Sequence, residues 1–148
     1  KLGCPWIIPP TMAFNDIAIR INAYEQTIKT LGNEKVKGQP LIRELAIGRT
    51  KQEAFEVARK PLLEKYESYA TWGQTDTKKE RTLSDTFEEF CRDRFIIGDE
   101  QEVVDEILKY KESFGVDDLL VRVQWPGLGQ GEVLKTLDHL AKIIATVS

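Results

Sequence analysis

The sequence predicts an α/β protein in which parallel strands are covered by helices. Three short apolar runs have the length and the bounding residues of buried strands, and they lie at residues 4–8, 40–48 and 119–124. Each run is followed by a segment whose apolar residues recur every three or four positions, which is typical of a helix. Strands that alternate with helices are most easily arranged as a parallel sheet with helical crossovers.

The first predicted strand, residues 4–8, lies almost at the start of the chain, and two prolines close it. Because a domain rarely opens inside an element, we expect residue 1 to be an internal point of a longer polypeptide. A helix follows from residue 12, with Thr11 as a candidate N-cap and Gly32 as its end. Its apolar stripe comprises Phe14, Ile17, Ile21, Tyr24, Ile28 and Leu31.

The second predicted strand, residues 40–48, is bounded by proline and glycine and leads into a second helix. Thr50 and Glu53 have the spacing of a capping box, in which each side chain binds the other residue's backbone amide. We therefore expect a helix that runs from there to Trp72 and is ended by the next glycine. Pro61 lies inside this pattern, and we expect it to kink the helix or to split it in two.

Two more helices are predicted before the third strand. Residues 74–84 are mostly polar and predict a mobile loop, either a lid or a surface excursion. A short helix follows at residues 86–94, and the apolar residues 95–98 lead to a helix that starts at the capping residue Asp99 and ends at Gly115. The third strand and a final helix complete a pattern of three strands, each followed by a helix, with one helical insertion before the last.

Composition limits the partners that the chain can have. It has 148 residues, which is enough for one domain, and a formal net charge of -3. No basic stripe would neutralise a run of phosphates, so we expect no nucleic-acid partner. No apolar run reaches the roughly 20 residues that cross a bilayer, so we expect a soluble, cytoplasmic protein without a membrane partner. Cys4 and Cys91 lack the companions of a zinc site or a disulfide framework, so we expect reduced core cysteines and no metal.

Polar side chains appear toward the carboxyl end of the third strand. Side chains alternate along a strand, so Arg122 and Gln124 share one face, while Leu119, Val121 and Val123 form an apolar face. In parallel α/β proteins ligands gather at the carboxyl ends of strands, so Arg122, Gln124 and the following Trp125 are candidates for a pocket wall. On the second strand, Arg43 and Glu44 form a polar pair, and Glu44 is the expected partner of Arg122. Arg122 thus has two open roles, a structural ion pair or a ligand contact, and the two can coexist.

Familiar catalytic arrangements are missing from the sequence, and no catalytic residue is identified. His139 is the only histidine and lies among polar residues of the last helix, so we expect it to be solvated, which argues against Ser-His and Cys-His nucleophiles. The glycines within residues 127–131 lack the lysine and spacing of a P-loop and predict a tight strand-to-helix turn. Among the tryptophans, we expect Trp6 and Trp72 in the core and Trp125 as the exception at the exit of the strand.

Six different short motifs lie within or at the ends of the predicted elements. The two most specific are Tyr69-Ala70-Thr71-Trp72-Gly73-Gln74 at a helix end and Gln124-Trp125-Pro126-Gly127 after the third strand. The others are Trp6-Ile7-Ile8, Pro40-Leu41-Ile42-Arg43-Glu44, Phe95-Ile96-Ile97-Gly98 and Phe114-Gly115-Val116-Asp117-Asp118-Leu119. Through these motifs, nearly the whole chain resembles the C-terminal portion of the luciferase-like (bacterial luciferase family) flavin-dependent oxidoreductases.

The resemblance implies that residues 1–148 form the C-terminal part of a (β/α)8 TIM barrel, in a family that usually forms homodimers. It also implies a monooxygenase that uses reduced FMN and a small-molecule substrate, or hydride transfer with a deazaflavin (F420). Much of the family's flavin site, including its phosphate-holding segment, lies before the point that matches Lys1, so we expect the isolated chain to be inactive. Eight strands need roughly 250 residues, so three strands cannot close a barrel alone.

Residues from two neighbouring strands would then line one side of a flavin or substrate site, namely Arg122, Gln124 and Trp125 with Glu44 and Arg43. The alternative is a non-catalytic partial barrel that acts through association. In both cases we expect the inner face of the sheet, with Glu44, Ala46 and Leu120, to have nothing opposite it within the chain. Together with the open strand edges, this predicts an oligomer.

Overall fold

The structure is a computed structural model that describes residues 6–34, 38–73, 83 and 86–147. Its elements in chain order are α1 (Phe14–Thr30), β1 (Leu41–Ile47), α2 (Lys51–Thr71), α3 (Phe87–Arg92), β2 (Ile96–Gly98), α4 (Glu100–Phe114), β3 (Leu119–Arg122) and α5 (Gln130–Val147). The predicted α/β class with parallel strands and covering helices is confirmed. Among the helices of this described part, none is long and apolar enough to cross a membrane.

The strands form one three-stranded parallel sheet in the order β2-β1-β3. The strand at its centre is therefore β1, while β3, which carries Arg122, lies at an edge of the sheet. The carboxyl half of β1 pairs with β2, with Leu45 opposite Ile96, while its amino half pairs with β3, with Glu44 opposite Arg122. This division lets one seven-residue strand hold two shorter strands at different heights.

The described part of the first predicted strand, residues 6–8, forms a single bridge, in which Ile8 pairs with Leu41 on the edge of β1 that β2 also uses. The two prolines that follow Ile8 have no amide hydrogen to donate, so the pairing cannot continue. Ile96–Gly98 occupies the remaining part of that edge as β2. The described residues thus contain three strands, as many as predicted. However, Ile96–Gly98 (β2) takes the place of the first predicted strand, and the sequence pattern presented it only as a connection.

Helices bury both faces of β1, as is usual for parallel sheets. On one face Leu41, Leu45 and Ile47 join an apolar core with α1, α4 and α5. On the opposite face, called the inner face here, Ala46 packs with α2, α3 and Trp125. The expectation of a bare inner face is therefore wrong around β1, because α2 folds back over it.

The helix ends follow their sequence signals with two exceptions. Asp99 and Glu102 form the predicted capping box of α4, and Gly115 ends this helix at φ 64°. Thr50 accepts a hydrogen bond from the amide of Glu53, as expected, but the Glu53 carboxylate accepts from the amide of Arg49, one residue before the cap. At α1, the N-cap is Ala13, without a side-chain cap, and Thr11 does not cap the helix.

Pro61 does not split the second helix, since α2 runs without a break from Lys51 to Thr71. A proline inside a helix removes one hydrogen bond and costs about 3 kcal/mol. The same face of α2 buries Ala58, Leu62 and Tyr66 against the sheet, and packing of this kind supplies most of the stability of a helix in a protein. The predicted mobile loop at residues 74–84 lies outside the described residues apart from Leu83, which is buried.

Candidate functional site

A fully buried carboxylate forms the centre of the inner face. Glu44 of β1 has 0% exposure and accepts hydrogen bonds from four side chains. Lys65 Nζ lies 2.7 Å and Tyr66 Oη 2.8 Å from Glu44 Oε1, and Trp125 Nε1 lies 2.5 Å from Oε2. Arg122 donates to Oε1 through Nη2. We call these five residues the Glu44 cluster.

Three elements bring the Glu44 cluster together. The register of β1 and β3 places Glu44 directly beside Arg122, so the ion pair predicted from the sequence is confirmed. Trp125 follows β3 by three residues, and its indole reaches the second carboxylate oxygen. Lys65 and Tyr66 are consecutive residues of α2, and sequence reasoning missed their role. A signal did exist, because a tyrosine on a buried helical stripe needs a partner for its hydroxyl.

The hydrogen bonds explain how a carboxylate can remain in the core. A buried charge without partners is costly, and here two cations and two neutral donors surround it. Burial, followed by the charge of Glu44, raises the pKa of Tyr66, so its hydroxyl remains a proton donor. Burial acts to lower the pKa of Arg122, but the charge of Glu44 and the neighbouring Tyr66 outweigh it, and the pKa of Arg122 is raised. The guanidinium is therefore permanently charged.

Arg122 has hydrogen-bonding capacity that the described residues do not use. Its Nε is buried and has no acceptor among them. The side chain as a whole is 36% exposed, because β3 is an edge strand and α2 covers the sheet mainly over β1 and β2. A buried donor without an acceptor costs about 1–3 kcal/mol, so this atom suits the acceptor of a ligand.

Arg43 lies on the face of β1 opposite to Glu44, as the alternation of strand side chains requires. It is fully buried, and its guanidinium donates to the hydroxyl of Tyr110 at 3.0 Å and to the carbonyls of Pro9 and Met12 at 3.1 and 3.2 Å. Burial lowers the pKa of Arg43. The structure therefore does not bring Arg43 together with the other four candidate residues. Instead, the Arg43 side chain connects β1 to α4 and to the segment before α1.

The other candidates differ in exposure. Gln124 lies just beyond β3 and is exposed, whereas Trp125 is buried in the inner-face core. Trp72, which we expected in the core, is 67% exposed at the C-cap of α2. The expectations for these two tryptophans are thus reversed, because Glu44 provides a buried partner for the Trp125 indole while Trp72 lies past the end of the packed helix.

His139 is not simply solvated as the sequence suggested. Its Nδ1 lies 2.6 Å from a carboxylate oxygen of Glu100, and Lys142 Nζ lies 3.5 Å from the same oxygen. These contacts join α5 to the first turn of α4 and, led by the His139 hydrogen bond, lower the pKa of Glu100. Cys91 is buried, as predicted, and burial raises the pKa of its thiol, while Cys4 lies outside the described residues.

Two cavities lie away from the Glu44 cluster. A cavity of about 520 Å³ between α2, α3, β2 and α4 is lined by Phe55, Cys91, Phe95 and charged residues. A second, of about 300 Å³, lies at the carboxyl end of β1, where Gly48 and Arg49 meet Lys135 and His139 of α5. Within the described ranges, no group of three or more histidine, cysteine or acidic side chains could hold a metal ion.

Comparisons with known proteins show the fold. No family model and no curated protein matches the sequence. Among solved structures, the chain is similar to the monooxygenase RslO1 from Streptomyces bottropensis, with a TM-score of 0.74 and 14% identity, over 97% of this chain and 42% of RslO1. It is also similar to apo-MsnO8, with a TM-score of 0.60 and 18% identity, over 97% of this chain and 46% of that one. The chain thus has the fold of part of these proteins and spans less than half the length of either.

Proposed function

We propose that this chain is the C-terminal part of a flavin-dependent monooxygenase of the luciferase-like type, whose complete form is a TIM barrel. The observation that carries the proposal is the shared fold with the monooxygenase RslO1 along 97% of the chain. The helix-end motif at residues 69–74 and the Gln124-Trp125-Pro126-Gly127 turn add independent support from the sequence. Fold alone does not define chemistry, so the site residues must carry the rest of the argument.

The residues of the inner face fit one side of a flavin ring. Flavin rings carry carbonyl oxygens and ring nitrogens that accept hydrogen bonds, and the Arg122 guanidinium is a charged donor whose side chain is 36% exposed at the edge of the sheet. The exposed amide of Gln124 lies two residues further along, just beyond the end of β3. We therefore assign Arg122 and Gln124 to hold the ring, and Glu44 with Trp125 to hold Arg122 in place.

The flavin supplies the electrons for the reaction with dioxygen when it is bound, and the protein supplies binding, orientation and electrostatics. In this proposal Arg122 keeps a fixed positive charge beside the ring, since its pKa is raised. The phosphate-holding groups belong to the part of the barrel that the resemblance places before Lys1. The chain then contributes the ring side of the site.

Flavin titration tests the proposal. We expect FMN to bind the purified 148-residue chain weakly, with a dissociation constant above micromolar, and riboflavin to bind equally well, because the phosphate has no partner here. Gln124→Ala should weaken both flavins to the same extent. Flavin fluorescence measures the binding, and Gln130→Ala, on an exposed residue at the start of α5, is the matched control.

Two results would count against this assignment. If neither flavin binds up to millimolar concentration, the inner face does not recognise the ring. If FMN binds with sub-micromolar affinity while riboflavin does not, a phosphate site lies within the chain, and the division of the flavin site proposed here is wrong.

A further inference from the structure

We propose that the Glu44 cluster, with the aromatic end of α2, binds a planar ligand that carries a negative charge, such as an aromatic carboxylate or an ionised phenol. The inference rests on the proposed function for the position of the site, and it adds the charge and shape of the ligand. Three features of the inner face support it: an excess of positive charge, an unused donor, and a row of aromatic rings.

The excess of positive charge follows from the ion pairs of Glu44. This one carboxylate binds both Lys65 Nζ at 2.7 Å and the guanidinium of Arg122. The Lys65 side chain is 11% exposed, so its charge is screened only weakly by water. Two cations against one anion leave the cluster with a net charge of +1, and an anionic ligand would balance it.

The unused donor is Arg122 Nε. The hydrogen bonds of this side chain to Glu44 and Tyr66 leave from Nη2, while Nε is buried without an acceptor in the described part of the chain. The side chain as a whole is 36% exposed although Nε itself is covered, so a ligand approaches the guanidinium from the open side of the sheet and must displace the atoms over Nε to reach it. Carboxylate oxygens are strong acceptors for guanidinium groups, because both partners are charged.

The aromatic rings extend from the same cations along α2. Residues 65, 69 and 72 lie at helical spacings of four and three, so they share one side of the helix. Lys65 Nζ lies 5.8 Å from the ring centroid of Tyr69, and the Tyr69 and Trp72 rings are 5.9 Å apart. Trp72 is a large exposed indole at the end of this row. Cations at one end and ring faces at the other fit a ligand with a charged group attached to a planar body.

A pair of probes of equal shape tests the charge. We expect 2-naphthoate to bind the 148-residue chain about tenfold tighter than the neutral 2-naphthamide, since a hydrogen bond to a charged group is worth a factor of this size or more. Higher salt should reduce the difference. In Arg122→Gln the two probes should bind alike, whereas Arg20→Gln, on the exposed side of α1, should keep the preference. Titration calorimetry measures the affinity of both probes for all three proteins.

A second variant tests the ring contact. Trp72→Leu should weaken naphthoate and naphthamide by the same factor, because it removes a ring face and leaves the charges in place. The resonance of the Arg122 Nε–H group, assigned by its loss in Arg122→Lys, should shift on addition of naphthoate and not of naphthamide. This measurement uses the unaltered chain, so it decides the question even if Arg122→Gln does not fold.

Equal affinity of the two probes for the unaltered chain, or an unmoved Arg122 resonance, overturns the inference. Unchanged binding by Trp72→Leu overturns the part that concerns the rings. These results are separate from the flavin titration. If flavin binds but naphthoate is not preferred over naphthamide, the proposed function stands and this inference is wrong. If naphthoate is preferred but flavin does not bind, the proposed flavin site is wrong and the anion site remains.

Discussion

At the scale of single residues, buried polar side chains form two clusters that lie on opposite faces of β1. Arg43 on one face and Glu44 on the other are neighbours in sequence, yet they share no partner. Arg43 is satisfied by a hydroxyl and backbone carbonyls, which makes it structural. Glu44 instead holds two cations, one of which reaches the open edge of the sheet. This difference is why we assign ligand binding to the inner face.

The first prediction concerns the Glu44–Arg122 pair. Glu44→Gln should lower the free energy of unfolding by about 3 kcal/mol, because it leaves two cations without their buried counter-charge. Urea unfolding followed by tryptophan fluorescence measures the change. Glu67→Gln, on an exposed residue of α2, is the control and should change stability little.

The coupling between the two residues can be measured directly. Arg122→Leu alone should also destabilise the chain, and the double variant should lose less stability than the sum of the single losses. Strictly additive losses would mean that the two side chains do not interact.

The second prediction concerns Cys91. Because the thiol is buried and burial raises its pKa, Cys91 should react with iodoacetamide only when the protein unfolds. The experiment uses a Cys4→Ser background so that mass spectrometry follows one thiol. Rapid labelling in the absence of denaturant would contradict the packing of α3 against α2.

At the scale of elements, α4 ends at a glycine, because the backbone there takes a left-handed conformation that residues with a side chain disfavour. Gly115 has φ 64°, in the left-handed region, and a Cβ there would meet no neighbouring atom. The cost of a side chain would therefore come from the backbone conformation alone. A substitution at Gly115 therefore measures the backbone penalty alone, at a helix end that the sequence pattern already predicts.

The third prediction concerns this backbone penalty at Gly115. Gly115→Ala should lower the free energy of unfolding by about 1–2 kcal/mol, the penalty of a left-handed conformation. Gly129→Ala is the matched control, because a Cβ at Gly129 also meets open space and its φ is not in the left-handed region. Equal effects of the two substitutions would contradict the assigned end of α4.

The fourth prediction concerns the contact between α4 and α5. His139, followed by Lys142, lowers the pKa of Glu100 in the folded chain. The stability that this carboxylate contributes is therefore present above its unfolded pKa, near 4.3, and is lost as the pH falls through its lower folded value. Glu100→Gln should be less stable than the unaltered chain at pH 7, and the gap should close below about pH 4.

Chemical denaturation at a series of pH values measures this gap. Glu112→Gln, on an exposed residue near the other end of α4, is the control and should follow the unaltered chain. A gap that stays constant from pH 7 to pH 3 would show that ionised Glu100 gains nothing from the fold.

At the scale of the whole molecule, two cores lie on either side of β1, but the sheet stops abruptly at β3. The inner face is closed over Ala46 and Glu44, whereas Leu120 of β3 is 49% exposed. An edge strand with an exposed leucine offers both unpaired backbone groups and apolar surface to another chain. In the proposed complete barrel, further strands would cover this edge.

The fifth prediction is that the 148-residue chain self-associates at micromolar concentration through β3. Leu120→Lys should shift it toward the monomer with little change in stability, because the side chain is half exposed. Leu31→Lys, at the exposed end of α1, is the matched control and should leave the association unchanged. Size-exclusion chromatography with light scattering measures the mass, and a monodisperse monomer of the unaltered chain would show that no partner is needed.

The sequence by itself determined the features that depend on local physics. Apolar spacing predicted each helix, glycines and capping residues predicted most of the ends, and alternation along two strands predicted that Glu44 would meet Arg122. Period and capping are properties of neighbouring residues, so they can be read without knowing the rest of the fold.

The tertiary structure decided what depends on distant parts of the chain. Which strand is central, and that Ile96–Gly98 takes the edge left by Ile8, follow from pairing between remote segments. The return of α2 over the inner face added Lys65 and Tyr66 to the Glu44 cluster and kept the helix intact through Pro61. Packing free energy of this kind exceeds local preferences, and no local pattern reports which segments will supply it.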